Sequence, residues 1–394
     1  MSGLYSLFFK TVITIEQKHE FLSFLGTQNK ALQTLSFQLD GLTVPFLILL
    51  VFLCVAKNRA SLPTDNEWFI LSFILSSFYA VISANPILFL LFFEASSFFL
   101  FLYAYYQEKG SISALRFFKY SVFSFICLVV GVLLIDLNFI ELGMALITLG
   151  IMAKAPVPPL NGWQVDAYAT CNPFSVLCMS VILSKLPFLF LFRFFDVGGF
   201  ESRNFLVWLV VIGGLIAGLS LIRERESVKK LALISSVHMA VNLGAILSNQ
   251  DLALSVFPLF VLGHGIMLGY VIYKSRLNLF TPAWIIANLA LLAQPLSLIF
   301  WADIGGLVAL FKASYYLSLI AGFSLFIAAI SVLPNLRIPF QRRFTLLDFF
   351  VLISFAVGFT PLIFTAEIAP KMLKIEGPKP SSFDSPVEGV TESI

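Results

Sequence analysis

Two lysines lie where a lysine is expensive. Lys154 ends the apolar run LGMALITLGIMAK and is followed at once by Ala155-Pro156-Val157-Pro158-Pro159. Lys185 lies in SVILSKLPFLFLF, with apolar residues on both sides. A lysine at the centre of a bilayer costs about 3 kcal/mol or more, so it is rarely kept there without a task. Prolines donate no backbone hydrogen bond, so the helix must break where Lys154 sits. A charge at a broken helix is how membrane transporters build ion sites, and the free carbonyls at the end of a half-helix favour a cation. Ion pairing and proton transfer are the chemistry open to such a group. Lys185 also admits a plainer reading, in which its stem snorkels to an interface.

Four further residues could join that chemistry. Glu94 lies within PILFLLFFEASSFFLFLYAYY, where a carboxylate must be protonated or paired. Lys154 is its natural partner, because an opposite charge within about 4–6 Å strongly alters the proton affinity of both groups. Separating the pair would release a proton and so acts as a physical switch. The alternative is an ordinary helix-end glutamate. His238, in ALISSVHMAVNLGA, and His264, in FPLFVLGHGIMLGYV, lie inside apolar runs. A lone buried histidine is usually a satisfied core residue. Two of them beside lysines and carboxylates suit a relay, since imidazole both accepts and donates a proton near neutral pH. Asp303 follows Pro295 in LLAQPLSLIFWADIGGLVALF and is a protonation site, a pair member or a structural group. Lys229 and Lys230 open a helix and read as interfacial anchors.

The elements that must position these residues are membrane helices. The chain is 59% hydrophobic and 12% charged, with a mean hydropathy of +0.94, which no soluble domain reaches. The fold class is an all-α polytopic membrane protein. A net charge of +3, dispersed along the chain, excludes a nucleic-acid partner. No phosphate-binding glycine motif is present, so no nucleotide site is implied. Cys54, Cys127, Cys171 and Cys178 show no metal-ligand spacing and read as packing residues. The 44 phenylalanines suit a T-rich, organellar gene.

Apolar runs place helices near 41–56, 67–84, 86–107, 113–135, 139–168, 173–195, 203–222, 228–248, 252–273, 283–311, 315–333 and 346–366. That makes about twelve spans of roughly 20 residues each. The runs at 139–168 and 283–311 are over-long, contain proline and are read as broken. They lie about five spans apart, in the manner of inverted repeats. Residues 1–39 form a non-spanning segment in which Met1–Ile15 suits a short amphipathic helix, 40–366 form the transmembrane domain, and 367–394 form a polar, flexible tail. Basic residues gather on alternate links: Lys57 and Arg59; Lys109, Arg116 and Lys119; Arg223, Arg225, Lys229 and Lys230; Lys274 and Arg276; Arg337, Arg342 and Arg343. Arg203 and Lys312 are nearly all that the other links carry. The basic side should face the cytoplasm or matrix, with both termini on the opposite face.

With these residues in place, the chain resembles the antiporter-like membrane subunits of mitochondrial respiratory complex I, and subunit 4 among them. LDGLTVPFLILL is similar to the family's LDGLSxPFxxL, and LFFEASSFFLFLYA to its glutamate helix, which puts Glu94 on the family's glutamate. AKAPVPPLNGWQVDAY resembles K-x-P-x-x-P-x-H-G-W-L-P-D-A-[YH], so Lys154 takes the broken-helix lysine and Asn161 stands where the motif has histidine. ILSKLPFLFLFR resembles LLKLGGYGLLR, giving Lys185 and Arg193, although the spacing from Asp166 holds one extra residue. VKKLALISSVHMAVNLG and LGHGIMLGYVIYKSRLN give His238 and His264. QRRFTLLDFFVLISFAVGFTPLIF resembles the closing segment. QPLSLIFWADIGGL resembles LPPxxNLWGELxxL, so Asp303 takes a glutamate position that carries lysine in subunits 2 and 5; the carboxylate favours subunit 4.

The resemblance implies an antiporter-like inverted-repeat bundle with two broken helices. The family's first two helices, which precede the LDG segment, are expected to be missing. It implies a proton-translocating subunit in which Glu94–Lys154, Lys185, His238, His264 and Asp303 form the proton path. No cofactor is expected on this chain; NADH, FMN, iron–sulfur clusters and ubiquinone belong elsewhere in such a complex. No metal site is expected. Expected partners are adjacent antiporter-like subunits, other small membrane subunits and phospholipid, with cardiolipin at the basic edge. The implied location is the mitochondrial inner membrane. A stand-alone cation/proton antiporter subunit and a purely structural membrane subunit are the other readings.

Overall fold

The computed structural model describes residues 13–18, 34–59, 66–107, 111–197, 202–277, 279, 281–292, 297–332 and 345–358. The tail 367–394 and most of the segment 1–39 lie outside them. Within that segment, β1 (Ile13–Lys18) pairs antiparallel with β2 (Thr34–Leu39), with Ile13 opposite Leu39 and Lys18 opposite Thr34. Residues 13–15 are therefore strand rather than the end of an amphipathic helix. ITIEQK explains the difference: it alternates apolar and polar residues and begins with three β-branched ones.

The remaining described elements are helices. In chain order the helices are α1 (Thr43–Arg59), α2 (Glu67–Ile82), α3 (Pro86–Gln107), α4 (Ile112–Asp136), α5 (Ile140–Lys154), α6 (Gly162–Thr170) and α7 (Pro173–Cys178). A π-helical turn, Met179–Leu183, follows α7 and leads to α8 (Leu186–Phe194). Then come α9 (Arg203–Arg223), α10 (Ser227–Ser248), α11 (Gln250–Arg276), α12 (Pro282–Leu291), α13 (Leu298–Ala313), α14 (Tyr315–Val332) and α15 (Leu346–Val357). Among the described residues, seven segments are long and apolar enough to cross a membrane: α3, α4, the continuous stretch Pro173–Phe194, α9, α10, α11 and α14. α1, α2, α12 and α15 are shorter apolar helices.

Local chemistry sets the boundaries. Asp40 caps α1 by accepting the Thr43 N–H at 2.9 Å, and Asn85 accepts the N–H groups of Ile87 and Leu88 ahead of α3. The over-long run at 139–168 is broken as expected, with α5 giving way to α6 across Pro156–Pro159. In the run at 283–311, α12 ends at Leu291 and α13 begins at Leu298; the expected break at Pro295 lies outside the described residues. The run 173–195 is not a single regular helix. Pro187 cannot donate to the Leu183 carbonyl, so the ladder fails just ahead of it, and Lys185 sits in the failure.

Burial sorts the helices into layers. α10 and the stretch Pro173–Phe194 are buried nearly throughout, whereas only about a third of α4 and of α14 is buried. α10 and the stretch α7–α8 therefore form the centre, while α4 and α14 form the periphery, where Phe123, Ile126, Phe323 and Phe326 are exposed. Small residues allow the closest approaches. Gly131 of α4 and Gly143 of α5 face each other so tightly that a Cβ on either would lie 2.8 Å from the other's carbonyl oxygen. On α9, a Cβ at Gly213 would lie 2.4 Å from the carbonyl oxygen of Pro158, inside the break. Gly213→Ala is therefore expected to push α9 off the break and to lower stability by about 1–3 kcal/mol. Thermal unfolding of the detergent-solubilised protein measures this; an unchanged midpoint would contradict the packing.

Candidate functional site

The first centre sits at the end of α5. The Lys154 ammonium lies 3.0 Å from Glu94 Oε2 on α3, and Ser121 on α4 donates to both glutamate oxygens at 2.9 and 3.1 Å. Lys154 also donates to Ser121 and lies 4.7 Å from the Phe93 ring centroid. Lys154 is 2% exposed and Glu94 18%, so the lysine is sealed while the carboxylate keeps an open side. The expected pairing of Glu94 with Lys154 is thus present in the geometry, and the helix-end reading of Glu94 is not.

The break beside Lys154 is held by side chains that replace lost backbone bonds. Trp163 Nε1 donates to the Ala153 carbonyl at 2.7 Å, and the Val157 N–H reaches back to Met152 O at 2.9 Å. Asn161, at the position of the motif histidine, donates to Ser236 of α10 at 3.3 Å. At the far end of α6, the Arg276 guanidinium donates to the carbonyls of Ala169 and Cys171.

Lys185 is fully buried, which excludes snorkelling. Its ammonium donates to the Ser180 carbonyl, freed by the π-helical turn, and to Ser184 Oγ at 3.1 Å. Among the described residues no carboxylate lies within ion-pair distance of it. Backbone and hydroxyl oxygens, rather than an acid, are its partners.

The second centre joins three helices. His238 Nδ1 on α10 lies 3.1 Å from Asp303 Oδ1 on α13, and both side chains are buried. The His264 ring on α11 stands 5.6 Å from the His238 ring, edge to face, and 5.1 Å from that of Phe260. Asp303 thus meets His238 directly rather than standing beyond His264. Four buried polar atoms here have no hydrogen-bond partner among the described residues: His238 Nε2, both ring nitrogens of His264 and Asp303 Oδ2. Buried polar atoms are seldom left unpaired, so this is a polar interior and not ordinary packing. Imidazole and carboxylate in contact can pass a proton between them.

Two buried ion pairs were not legible from single residues. Arg193 at the end of α8 donates to both oxygens of Asp40 at 3.1 and 3.2 Å, and to the carbonyls of Val81 and Ser83. Lys274, read from sequence only as one of the basic link residues, is buried near Asp348 of α15, with 3.9 Å between Nζ and Oδ1. Asp348 also accepts from Tyr270, from Thr281 at 2.9 Å and from the Thr345 N–H of its own capping box. Lys229, by contrast, pairs with the exposed Glu226.

The likenesses that follow show the antiporter-like membrane subunit fold. Residues 83–275 match the family described as NADH:quinone oxidoreductase/Mrp antiporter, TM. Among solved structures, a chain of the respiratory complex I from Thermus thermophilus superposes with a TM-score of 0.70, at 17% identity, over 85% of this chain and 86% of that one. A chain of the membrane-bound sulfane sulfur reductase, an archaeal respiratory membrane complex, gives 0.74 at 16% identity, over 94% and 88%. A chain of the Mrp complex from Dietzia sp. DQ12-45-1b gives 0.68 at 15% identity, over 87% and 72%. No curated protein matches the chain in sequence.

The Lys274–Asp348 pair makes a stability prediction. Removing one partner of a buried pair costs about 3–5 kcal/mol, whereas replacing both by apolar residues of similar size is often neutral. Asp348→Ala should lower the unfolding midpoint markedly, and Asp348→Leu combined with Lys274→Met should recover most of the loss. Equal destabilisation in the two variants, measured in detergent, would show that the capping role alone matters.

Proposed function

We propose that this chain is a proton-translocating membrane-arm subunit of a respiratory complex I, of the subunit 4 type. The observation that carries the reading is the Glu94–Lys154 pair at the break between α5 and α6. The pair is bistable by construction. Together its members neutralise each other in a poorly solvated site. Apart, the lysine is a buried lone cation, a loss of about 3–5 kcal/mol that expulsion of its proton relieves. Glu94 can move or take up a proton because it keeps an open side. A shift in a neighbouring subunit that draws Glu94 away would therefore eject a proton from Lys154. Lys185, His264, His238 and Asp303 supply the groups to carry it on. The carboxylate at 303, where the resembled subunits 2 and 5 carry lysine, supports the subunit 4 type.

In this reading the redox chemistry, with NADH, FMN, iron–sulfur clusters and ubiquinone, belongs to other subunits, and this chain contributes the work of moving protons. Its partners are adjacent antiporter-like subunits, small membrane subunits and phospholipid, with cardiolipin at the basic edge. Its place is the mitochondrial inner membrane, with the basic links on the matrix side and both termini facing the intermembrane space. A cation/proton antiporter subunit is the second reading, favoured by the Mrp part of the family description and the similarity to the Dietzia structure. Proton flux driven by a sodium gradient, with no electron flow, would select it.

Lys154→Ala tests the main reading. Glu94 left alone escapes most of the penalty by taking up a proton, so the complex should assemble. The proton-to-electron ratio during NADH oxidation in sealed vesicles should fall. An unchanged ratio in fully assembled mutant complex would remove Lys154 from the coupling and return the pair to a structural role.

A further inference from the structure

Ser121 is hydrogen-bonded unlike the serines around it. Ser96 and Ser97 of α3 donate to the Phe93 carbonyl at 2.7 and 3.0 Å, and Ser124 of α4 donates to the Gly150 carbonyl at 2.7 Å. Bonds of this kind, to nearby backbone, are how a hydroxyl settles in an apolar helix. Ser121 is just as buried, but its partners among the described residues are side chains. Its Oγ lies 2.9 Å from Glu94 Oε1 and 3.1 Å from Oε2, and it accepts from the Lys154 ammonium. Close approach of α4 and α5 puts it there: a Cβ on Gly150 would lie 3.0 Å from the Ser124 carbonyl oxygen.

Hydrogen-bond polarity separates Ser121 from the other partners of Lys154. An ammonium only donates, an ionised carboxylate only accepts, and a hydroxyl does both. While Lys154 is charged, Glu94 Oε2 at 3.0 Å, the Phe93 ring and the Ser121 oxygen all suit it. A neutral amine carries a lone pair that needs a donor, and neither an ionised carboxylate nor a ring face supplies one. Among the described residues in contact with Lys154, the Ser121 hydroxyl can, by turning about its Cβ–Oγ bond. Its single proton is committed to Glu94 while the pair is closed. Drawing Glu94 away frees that proton at the moment the amine needs it.

We infer that Ser121 is a positioning residue that holds the Lys154 nitrogen at the break in both charge states, accepting from the ammonium and donating to the amine. This rests on the proton-translocation reading above. Ser121 keeps its own proton throughout. One N–H bond of Lys154 breaks, its proton passes to the groups that carry it on, one positive charge leaves, and the hydroxyl only turns. Lys154 then waits in place to be reprotonated when Glu94 returns. Without the hydroxyl, a side chain of four methylenes ends in an amine with no fixed contact, and part of the turnovers fail to reset.

The experiment compares Ser121→Ala, Ser121→Val, Ser121→Thr and Lys154→Ala in the assembled complex, reading protons per electron with a pH dye in sealed vesicles during NADH oxidation. Ser121→Ala leaves the direct Glu94–Lys154 bond intact, so the complex should assemble, with a ratio at least half-way down to that of Lys154→Ala. Thr and Val have the same shape and differ by the hydroxyl, so Ser121→Thr should keep the wild-type ratio and Ser121→Val should lose it as Ser121→Ala does. The Thr and Val variants decide the matter if Ser121→Ala does not assemble. Wild-type ratios in Ser121→Ala or Ser121→Val, with the Lys154→Ala ratio lowered, overturn the inference alone. A Ser121→Thr ratio no better than that of Ser121→Val assigns Ser121 to packing and also overturns it. So does failure of both Ser121→Ala and Ser121→Val to assemble where Ser121→Thr assembles, since the hydroxyl is then a bond the fold requires. A wild-type ratio in Lys154→Ala overturns the parent reading and this one with it.

Discussion

A helix cannot close its backbone ladder across a proline, and Lys154 and Lys185 each stand two residues ahead of one. Lys154 precedes Pro156, and Lys185 precedes Pro187. In each case an adjoining turn is irregular: after Lys154 the Val157 N–H reaches back five residues to Met152, and before Lys185 the Ser184 N–H reaches back five residues to Met179. The cation and the freed carbonyls are thus produced by the same local sequence. Oxygen atoms that would cost energy unpaired lie next to an ammonium that needs them. The two sites then diverge by what the neighbouring helices offer. Lys154 meets a carboxylate and a hydroxyl, whereas Lys185 meets only backbone and serine.

That divergence follows from position in the bundle. The stretch carrying Lys185 is enclosed on all sides, and no helix packed on it brings an acid within reach among the described residues. Lys154 lies where α3, α4 and α5 converge, and the small residues of α4 and α5 let their backbones approach closely enough for Ser121 to bridge the pair. The histidine centre lies within α10, α11 and α13. The two lysine sites are thus built at discontinuities, whereas the histidine centre is carried by helix interiors.

Much of this was legible in the sequence because a charge in an apolar run has few places to go. Glu94 and Lys154 could be paired on that ground, and helix limits such as 86–107 and 203–222 followed from hydrophobic length and proline. The Lys185 turn was hidden because the run 173–195 was read as one apolar helix in spite of Pro187, and only the spacing of that proline from the lysine, the same as at Lys154, gives it away. Asp348 looked like a residue at a helix start, which it is; its bond to Tyr270 spans 78 residues and has no local signature. The Asp40–Arg193 contact spans 153 residues and is equally silent. At the other end of the chain, the period-two pattern of residues 13–18 was present but was outweighed by the apolar residues before it.

Arg276 gives the bundle a mechanical property. It belongs to α11, the helix of His264, and it grips the terminal carbonyls of α6, the helix of Trp163. A guanidinium bound to two carbonyls resists sliding better than apolar contact, which has no preferred register. α6 and α11 are consequently yoked at one end, like two bars joined by a pin. Tilting α11 about that pin would carry α6 with it and reshape the short linker beside Lys154. Strain arising near the histidines and strain arising near the ion pair are thus felt through one common joint, without any continuous line of polar groups between them.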